Sequence, residues 1–300
     1  MKIRQKLNKN IILLVCFIFL SACSNANSTS DTKSKHEIKD TYYIENPSNS
    51  AKLYVKIIHP TDWNNEKLPT VFLVPGGSGD SSEFLSRKKS AQDLADEGFT
   101  VVIFDPDGRG ASEGEEDNGG FIQQDGLNAI IEYASKLPEV DSDQMGIASF
   151  SFGVTMASGV LSRYPDLPIK FLSDFEGPAN RDDTAGCDGS GLGHLDEVAD
   201  CDDETFWAER EASTFIAKIK VPYWRIQTEK DHAQPDYKHT VLMINSALSG
   251  GLRKIYLNEE KIKSALDENN LPKMLADSFD MNLMQTVADH IHTLLKPSTR

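Results

Sequence analysis

Met145-Gly-Ile-Ala-Ser-Phe-Ser-Phe-Gly153 runs without a break into Val154-Thr-Met-Ala-Ser-Gly-Val-Leu-Ser-Arg163. The first stretch is a short apolar strand ending in small residues, and the second has helical spacing. A strand that turns at once into a helix forces one residue into a strained, exposed position, and here that residue is Ser151. Its hydroxyl then stands at a helix N-terminus, where unsatisfied backbone N–H groups can hold a developing oxyanion. The pattern is a Gly-x-Ser-x-Gly elbow with Ser149 in place of the first Gly. Small residues are needed there because the turn brings helix and strand into contact, and Ser is the mildest replacement. The same residues also suit an ordinary strand-to-helix turn with Ser151 as N-cap.

On either side of this stretch, short apolar runs alternate with helical patterns. Val71-Phe-Leu-Val74 and Thr100-Val-Val-Ile-Phe104 read as buried parallel strands, each closed by a Gly turn: Pro75-Gly-Gly-Ser-Gly79 and Asp105-Pro-Asp-Gly-Arg-Gly-Ala-Ser112. Thr41-Tyr-Tyr-Ile44 and Leu53-Tyr-Val-Lys-Ile-Ile58 read as an antiparallel hairpin at a sheet edge. Strand-like runs recur at Phe171–Phe175, Tyr223–Gln227 and Lys254–Leu257. Helices are expected over 82–97, 121–137, 237–249 and 283–295, the last with Leu283, Val287, Ile291, Leu294 and Leu295 on one face. This rhythm predicts an α/β fold, a mostly parallel sheet with helices on both faces, and reactive groups at the C-terminal strand ends.

One segment interrupts it. Between Asp182 and Glu204 stand nine acids and no Lys or Arg, with Cys187 and Cys201 inside. The segment is expected to be a lid or cap, about 177–218. Its acids (Asp188, Asp196, Asp200, Asp202, Asp203) do not have the spacing of an EF-hand calcium loop, which favours a solvated loop. Two cysteines 14 apart in an exported chain predict a disulfide, worth roughly 3 kcal/mol by loop closure. A metal pair would need two further ligands, and only His194 lies between them.

The N-terminus reads as a targeting segment. Lys2, Arg4, Lys6 and Lys9 precede the apolar run Ile11–Leu20, too short to span a bilayer as a stable helix, and Leu20-Ser-Ala-Cys23 follows. A basic region, a short apolar region and small residues before a Cys resemble a bacterial lipoprotein signal, cleaved before Cys23 with lipid on its sulfur. That resemblance implies a signal over 1–22, a flexible tether over 23–40, a domain over 41–300, and a lipid-anchored location in the cell envelope, facing periplasm or exterior. The formal net charge of the 300-residue chain is −15, and losing four of its 31 basic residues and none of its 46 acids with the signal leaves it near −19. Such a chain has no electrostatic route to nucleic acid. Gly76-Gly-Ser-Gly-Asp-Ser lacks the Lys of a phosphate loop, which excludes that nucleotide motif.

Taken in order, the Gly turn after Val74, Asp107-Gly-Arg-Gly-Ala-Ser-Glu-Gly114, the elbow and Thr228-Glu-Lys-Asp231 make the chain from about 42 to 295 resemble an α/β-hydrolase, nearest its peptidase- and esterase-like members. The resemblance implies Ser151 as nucleophile, an oxyanion hole from the N–H groups of Phe152 and Gly77, and Asp231 as triad acid. It implies no cofactor. A serine hydroxyl needs an imidazole to take its proton and a carboxylate to fix that imidazole's tautomer. This chain departs from the family where the base is expected, since no His follows Leu257 before the final helix. His232, beside Asp231, is the chosen base, with Asp231, Asp174 or Glu176 as its acid. His239, His194, His290 and His292 are the other candidate imidazoles. Phe206, Trp207 and Trp224 could line an acyl pocket or fill the core. The expected activity is extracytoplasmic serine hydrolysis of an ester or small peptide-like acyl substrate. The alternative is a binding lipoprotein that keeps the fold and has lost the base.

Overall fold

The computed structural model describes residues 40–189, 199–277 and 282–295. In chain order the strands are β1 (Thr41–Glu45), β2 (Lys52–Ile58), β3 (Leu68–Val74), β4 (Thr100–Phe104), β5 (Val140–Phe150), β6 (Ile169–Phe175), β7 (Tyr223–Ile226), β8 (Ile255–Leu257) and β9 (Glu260–Lys261). The helices are α1 (Ala91–Asp96), α2 (Phe121–Ala134), α3 (Gly153–Arg163), α4 (Arg181–Ala185), α5 (Glu204–Ala208), α6 (Ala212–Ile216), α7 (Lys238–Ser249) and α8 (Leu283–Leu295), with a 3₁₀ turn at Ser81–Leu85.

All nine strands form one sheet in the order β1-β2-β4-β3-β5-β6-β7-β8-β9. The six strands from β4 across to β8 pair parallel, and β1, β2 and β9 add antiparallel edges. Alternation along each strand divides the apolar residues between two cores. Phe72, Val74, Val102, Ile147 and Leu172 meet residues of α2, α3, α6 and α7 on one face. Val71, Leu73, Ile103, Ala148 and Phe171 meet α1 and α8 on the other. Central strands buried on both faces explain why they are continuously apolar in sequence.

The helix expected over 82–97 is two pieces. Asp80 caps the 3₁₀ turn, the chain opens at 86–90, and Ser90 Oγ accepts from Asp93 N at 3.1 Å to start α1 afresh. Ser90 is a helix start inside a run whose apolar spacing alone reads as continuous. Segment 177–218 also carries more structure than a loop. Asn180 and Asp203 cap the short helices α4 and α5, and the α6 residues Ala212 and Ile216 sit in the core beside α3. Cys187 and Cys201 form a disulfide with Cα atoms 5.5 Å apart. Arg181 ties this segment down through Glu204, Glu211 and the Cys201 carbonyl. Residues 1–39, including Cys23, and His194 and Asp196 lie outside the described residues. No helix among the described residues is long and apolar enough to cross a membrane.

Candidate active site

The elbow places Ser151 between the end of β5 and the start of α3 with φ +50°. Two small neighbours make the bend possible. A Cβ on Gly153 would lie 2.5 Å from the Pro75 carbonyl oxygen, and one on Gly76 would lie 2.8 Å from that of Phe150. The β3 turn and the elbow are therefore packed backbone against backbone. Ser149 is buried and its hydroxyl donates to the Ser173 carbonyl at 3.3 Å, which satisfies the polar atom that replaces Gly.

The Gly turn is held from below. Gly76 N donates to Glu83 Oε2 at 3.0 Å and Gly79 N donates to Gly76 O at 2.7 Å. Arg109 grips Glu116 through Nε and Nη2 at 2.6 and 2.8 Å and reaches the Gly79 carbonyl with Nη1 at 3.0 Å. Asp105 accepts from Ser81 N and Ala111 N at 2.8 and 2.7 Å. The Arg-Gly-Ala-Ser motif thus braces the turn that carries Gly77, whose φ is +46°.

A hydrogen-bonded chain crosses the sheet ends. Ser151 Oγ lies 2.9 Å from His232 Nε2, and His232 Nδ1 lies 2.7 Å from Glu176 Oε2. Glu176 follows β6, has a fully buried side chain, and is saturated with donors. It also accepts from His232 N at 3.2 Å, from Thr228 N at 3.1 Å and from the Thr228 hydroxyl. The imidazole, by contrast, is 29% exposed.

Asp231, expected to orient His232, faces elsewhere. Its Oδ2 accepts from Gln227 Nε2 at 2.8 Å and pairs with His239 Nε2 at 3.1 Å. Its Oδ1 accepts the N–H groups of Ala233 and Gln234, both at 2.8 Å, and stands 3.6 Å from His232 Nδ1. The correction has a steric cause: adjacent residues cannot easily turn their side chains on each other, so the carboxylate from the next strand takes the imidazole. Burial alone would raise the Asp231 carboxyl, but the bonds and charge of His239 and the other donors hold it well below the usual carboxylate range. Asp174 is spent on Arg225 Nη1 at 2.6 Å, its register partner on β7, and on the Tyr223 hydroxyl at 2.8 Å.

The other described imidazoles have partners of their own away from Ser151. His239 is buried on α7 against Asp231, His290 stacks on Trp224 at 4.0 Å, and His292 pairs with the Glu97 carbonyl at 3.1 Å. Trp207 and Trp224 are buried, and neither lines the cleft.

The cleft beside Ser151 encloses about 330 Å³. Gly77, Phe152, Asn118, Asp183, Thr184 and Gln234 contribute to its wall, and among the described residues no Lys or Arg does. Asn118 and Gln234, on loops, and Asp183, on a five-residue helix, carry no periodicity in the sequence to show where they point. Glu176, Asp231 and His232 bring one possible ligand atom each within 4.8 Å of one another, the only such group of three among the described residues. Their oxygens are already taken by protein N–H and O–H donors, so the group has the character of a relay rather than a cation cage.

Comparison with known proteins follows the same lines. The family described as X-Pro dipeptidyl-peptidase (S15 family) matches residues 49–171. No curated protein sequence matches the chain. An esterase of Pyrococcus furiosus superimposes with TM-score 0.62 at 15% identity, over 85% of this chain and 91% of its own. Est1E of Butyrivibrio proteoclasticus, solved with ferulic acid bound, gives 0.60 at 19% identity over 84% and 97%. A Bacteroides ovatus protein assigned as a dipeptidyl aminopeptidase IV gives 0.61 at 15% identity over 84% of this chain and 35% of its own, so the present chain spans about a third of that relative. The chain has the α/β-hydrolase fold that these esterases and peptidases share.

Proposed function

We propose that this protein is a serine hydrolase acting on an ester or small peptide-like acyl substrate, with Ser151 as nucleophile, His232 as base and Glu176 as the acid. The observation that carries the reading is the unbroken chain from Glu176 Oε2 through both ring nitrogens of His232 to Ser151 Oγ. Ser151 Oγ attacks the acyl carbon as its proton passes to His232 Nε2, while Glu176 holds Nδ1–H and stabilises the imidazolium. The carbonyl oxygen becomes an oxyanion held by the N–H groups of Phe152 and Gly77. The leaving group takes the proton from Nε2 as its bond to carbon breaks. Water, activated by the same imidazole, then releases the acid and restores Ser151. The cycle closes within these side chains and calls for no cofactor.

A cleft of about 330 Å³ suits a small substrate, and a wall without Lys or Arg disfavours anionic ones. The alternative of a binding protein without a base is disfavoured by the imidazole beside Ser151. A fluorophosphonate probe tests the choice: covalent labelling that Ser151→Ala abolishes is expected. Folded wild-type protein that stays unlabelled would restore the binding reading.

The N-terminal pattern supports lipid anchoring at Cys23 after removal of residues 1–22, with 23–40 as tether and an extracytoplasmic domain over 41–300 capped by about 177–218. In cells fed labelled palmitate the chain is expected to carry the label in the membrane fraction, and Cys23→Ser to lose it. An unlabelled wild-type chain would remove the anchor from this picture.

A further inference from the structure

Two carboxylates face one ring nitrogen at this site. Glu176 Oε2 bonds His232 Nδ1 at 2.7 Å, and Asp231 Oδ1 stands 3.6 Å from the same atom, beyond hydrogen-bonding reach. Asp231 is also immobilised. Two backbone N–H groups hold Oδ1, and Gln227 with His239 holds Oδ2. Its side chain is 1% exposed, so its charge is poorly screened.

The geometry points to a division of labour: Glu176 orients the imidazole by hydrogen bond, and Asp231 acts on it through space, as a fixed charge that stabilises the imidazolium formed when Ser151 gives up its proton. Asp231 is thus a positioning residue of electrostatic kind, and this inference rests on the proposed serine-hydrolase reading.

His239 offsets part of that charge through Oδ2, while Oδ1 remains the atom nearest the ring. Of the other charged or titratable groups near the ring, Asp174 and Arg225 neutralise each other at 2.6 Å and Asp183 lines the same cleft. His239 lies on the far side of Asp231, with Nε2 directed at Oδ2. Lys230 is 73% exposed and pairs with Asp277. Among the described residues no cation lies between Asp231 and His232, so the ring meets its field directly. Loss of an opposite charge this close should move the pH profile of the reaction by about one pH unit.

The test is the pH dependence of Ser151 labelling by a fluorophosphonate probe. In Asp231→Asn the pH at which labelling reaches half its plateau should fall by about one pH unit relative to wild type. Asp231→Ser, which also removes the charge and keeps one oxygen for the backbone N–H groups, should give the same displacement if the first variant folds poorly. Asp231→Glu keeps the charge and should leave the half-plateau pH near that of wild type, whatever happens to its plateau. Glu176→Gln, which removes the orienting bond, should lower labelling by about a hundredfold or more at every pH. A half-plateau pH that stays put in folded neutral variants overturns the inference even if their plateau drops, because loss of support for the loop alone would produce that. An equal displacement in Asp231→Glu overturns it too, by making shape the cause. If wild-type protein is not labelled at all, the hydrolase reading itself fails, a different outcome from either.

Discussion

Gly153 decides whether the elbow and the β3 turn can share one surface. A methyl group there would meet the carbonyl oxygens of Pro75 and Val74 at 2.5 and 2.8 Å, both backbone and neither able to rotate away. Gly153→Ala should therefore shift the turn that carries Gly77, lowering fluorophosphonate labelling at least tenfold and stability by about 1–3 kcal/mol in denaturant unfolding. Labelling and stability at wild-type level would show that the two segments are less tightly seated. Residue chemistry of this kind was largely legible in the sequence: the run of small residues around Ser151 names the bend before any coordinates do. The identity of the acid was not legible, because Asp231 and Glu176 both stand at strand ends. Only the directions of their side chains, fixed by Gln227, His239 and Thr228, tell them apart.

Elements show where local reading loses to tertiary context. Two-face burial made β4, and a single apolar face made α8, readable to the residue, since each pattern leaves few alternatives. The short helices α4 and α5 were hidden inside an acidic run, although Asn180 and Asp203 supply N-caps. Charge drew attention away from capping, and five-residue helices have too little periodicity to announce themselves. The disulfide closing this segment bears directly on the cleft, because Cys187 follows α4, and α4 carries Asp183 and Thr184 into the wall. Replacing both cysteines by Ser should cost about 3 kcal/mol, seen as a lower Tm, while Ser151 stays reactive. An unchanged Tm would mean that the Arg181 contacts with Glu204, Glu211 and Cys201 hold the segment unaided.

At the scale of the whole molecule, acid should loosen the back of the sheet. His290 packs on Trp224 with its Nδ1 buried and unpartnered, and burial pulls its pKa from 6.5 to about 4, against a small opposing pull from Asp289. The folded state binds that proton less readily than the unfolded chain, so stability is greatest above pH 6.5 and declines as pH falls toward 4. The full loss is about 3 kcal/mol. His290→Phe keeps a ring on Trp224 and should flatten the slope of unfolding free energy between pH 6.5 and 4; an unaltered slope would place the acid sensitivity elsewhere. A final consequence concerns Asn118, Ser151 and Glu176, three non-glycine residues with φ of +47°, +50° and +49° that all border one cleft. Each left-handed backbone of this sort costs of order 1 kcal/mol. Ser151→Gly should accordingly outlast Ser151→Ala on heating, by about 2–4 °C. The backbone at these three spots would be less strained with glycine, yet side chains are kept there, so at Ser151 reactivity and durability pull in opposite directions.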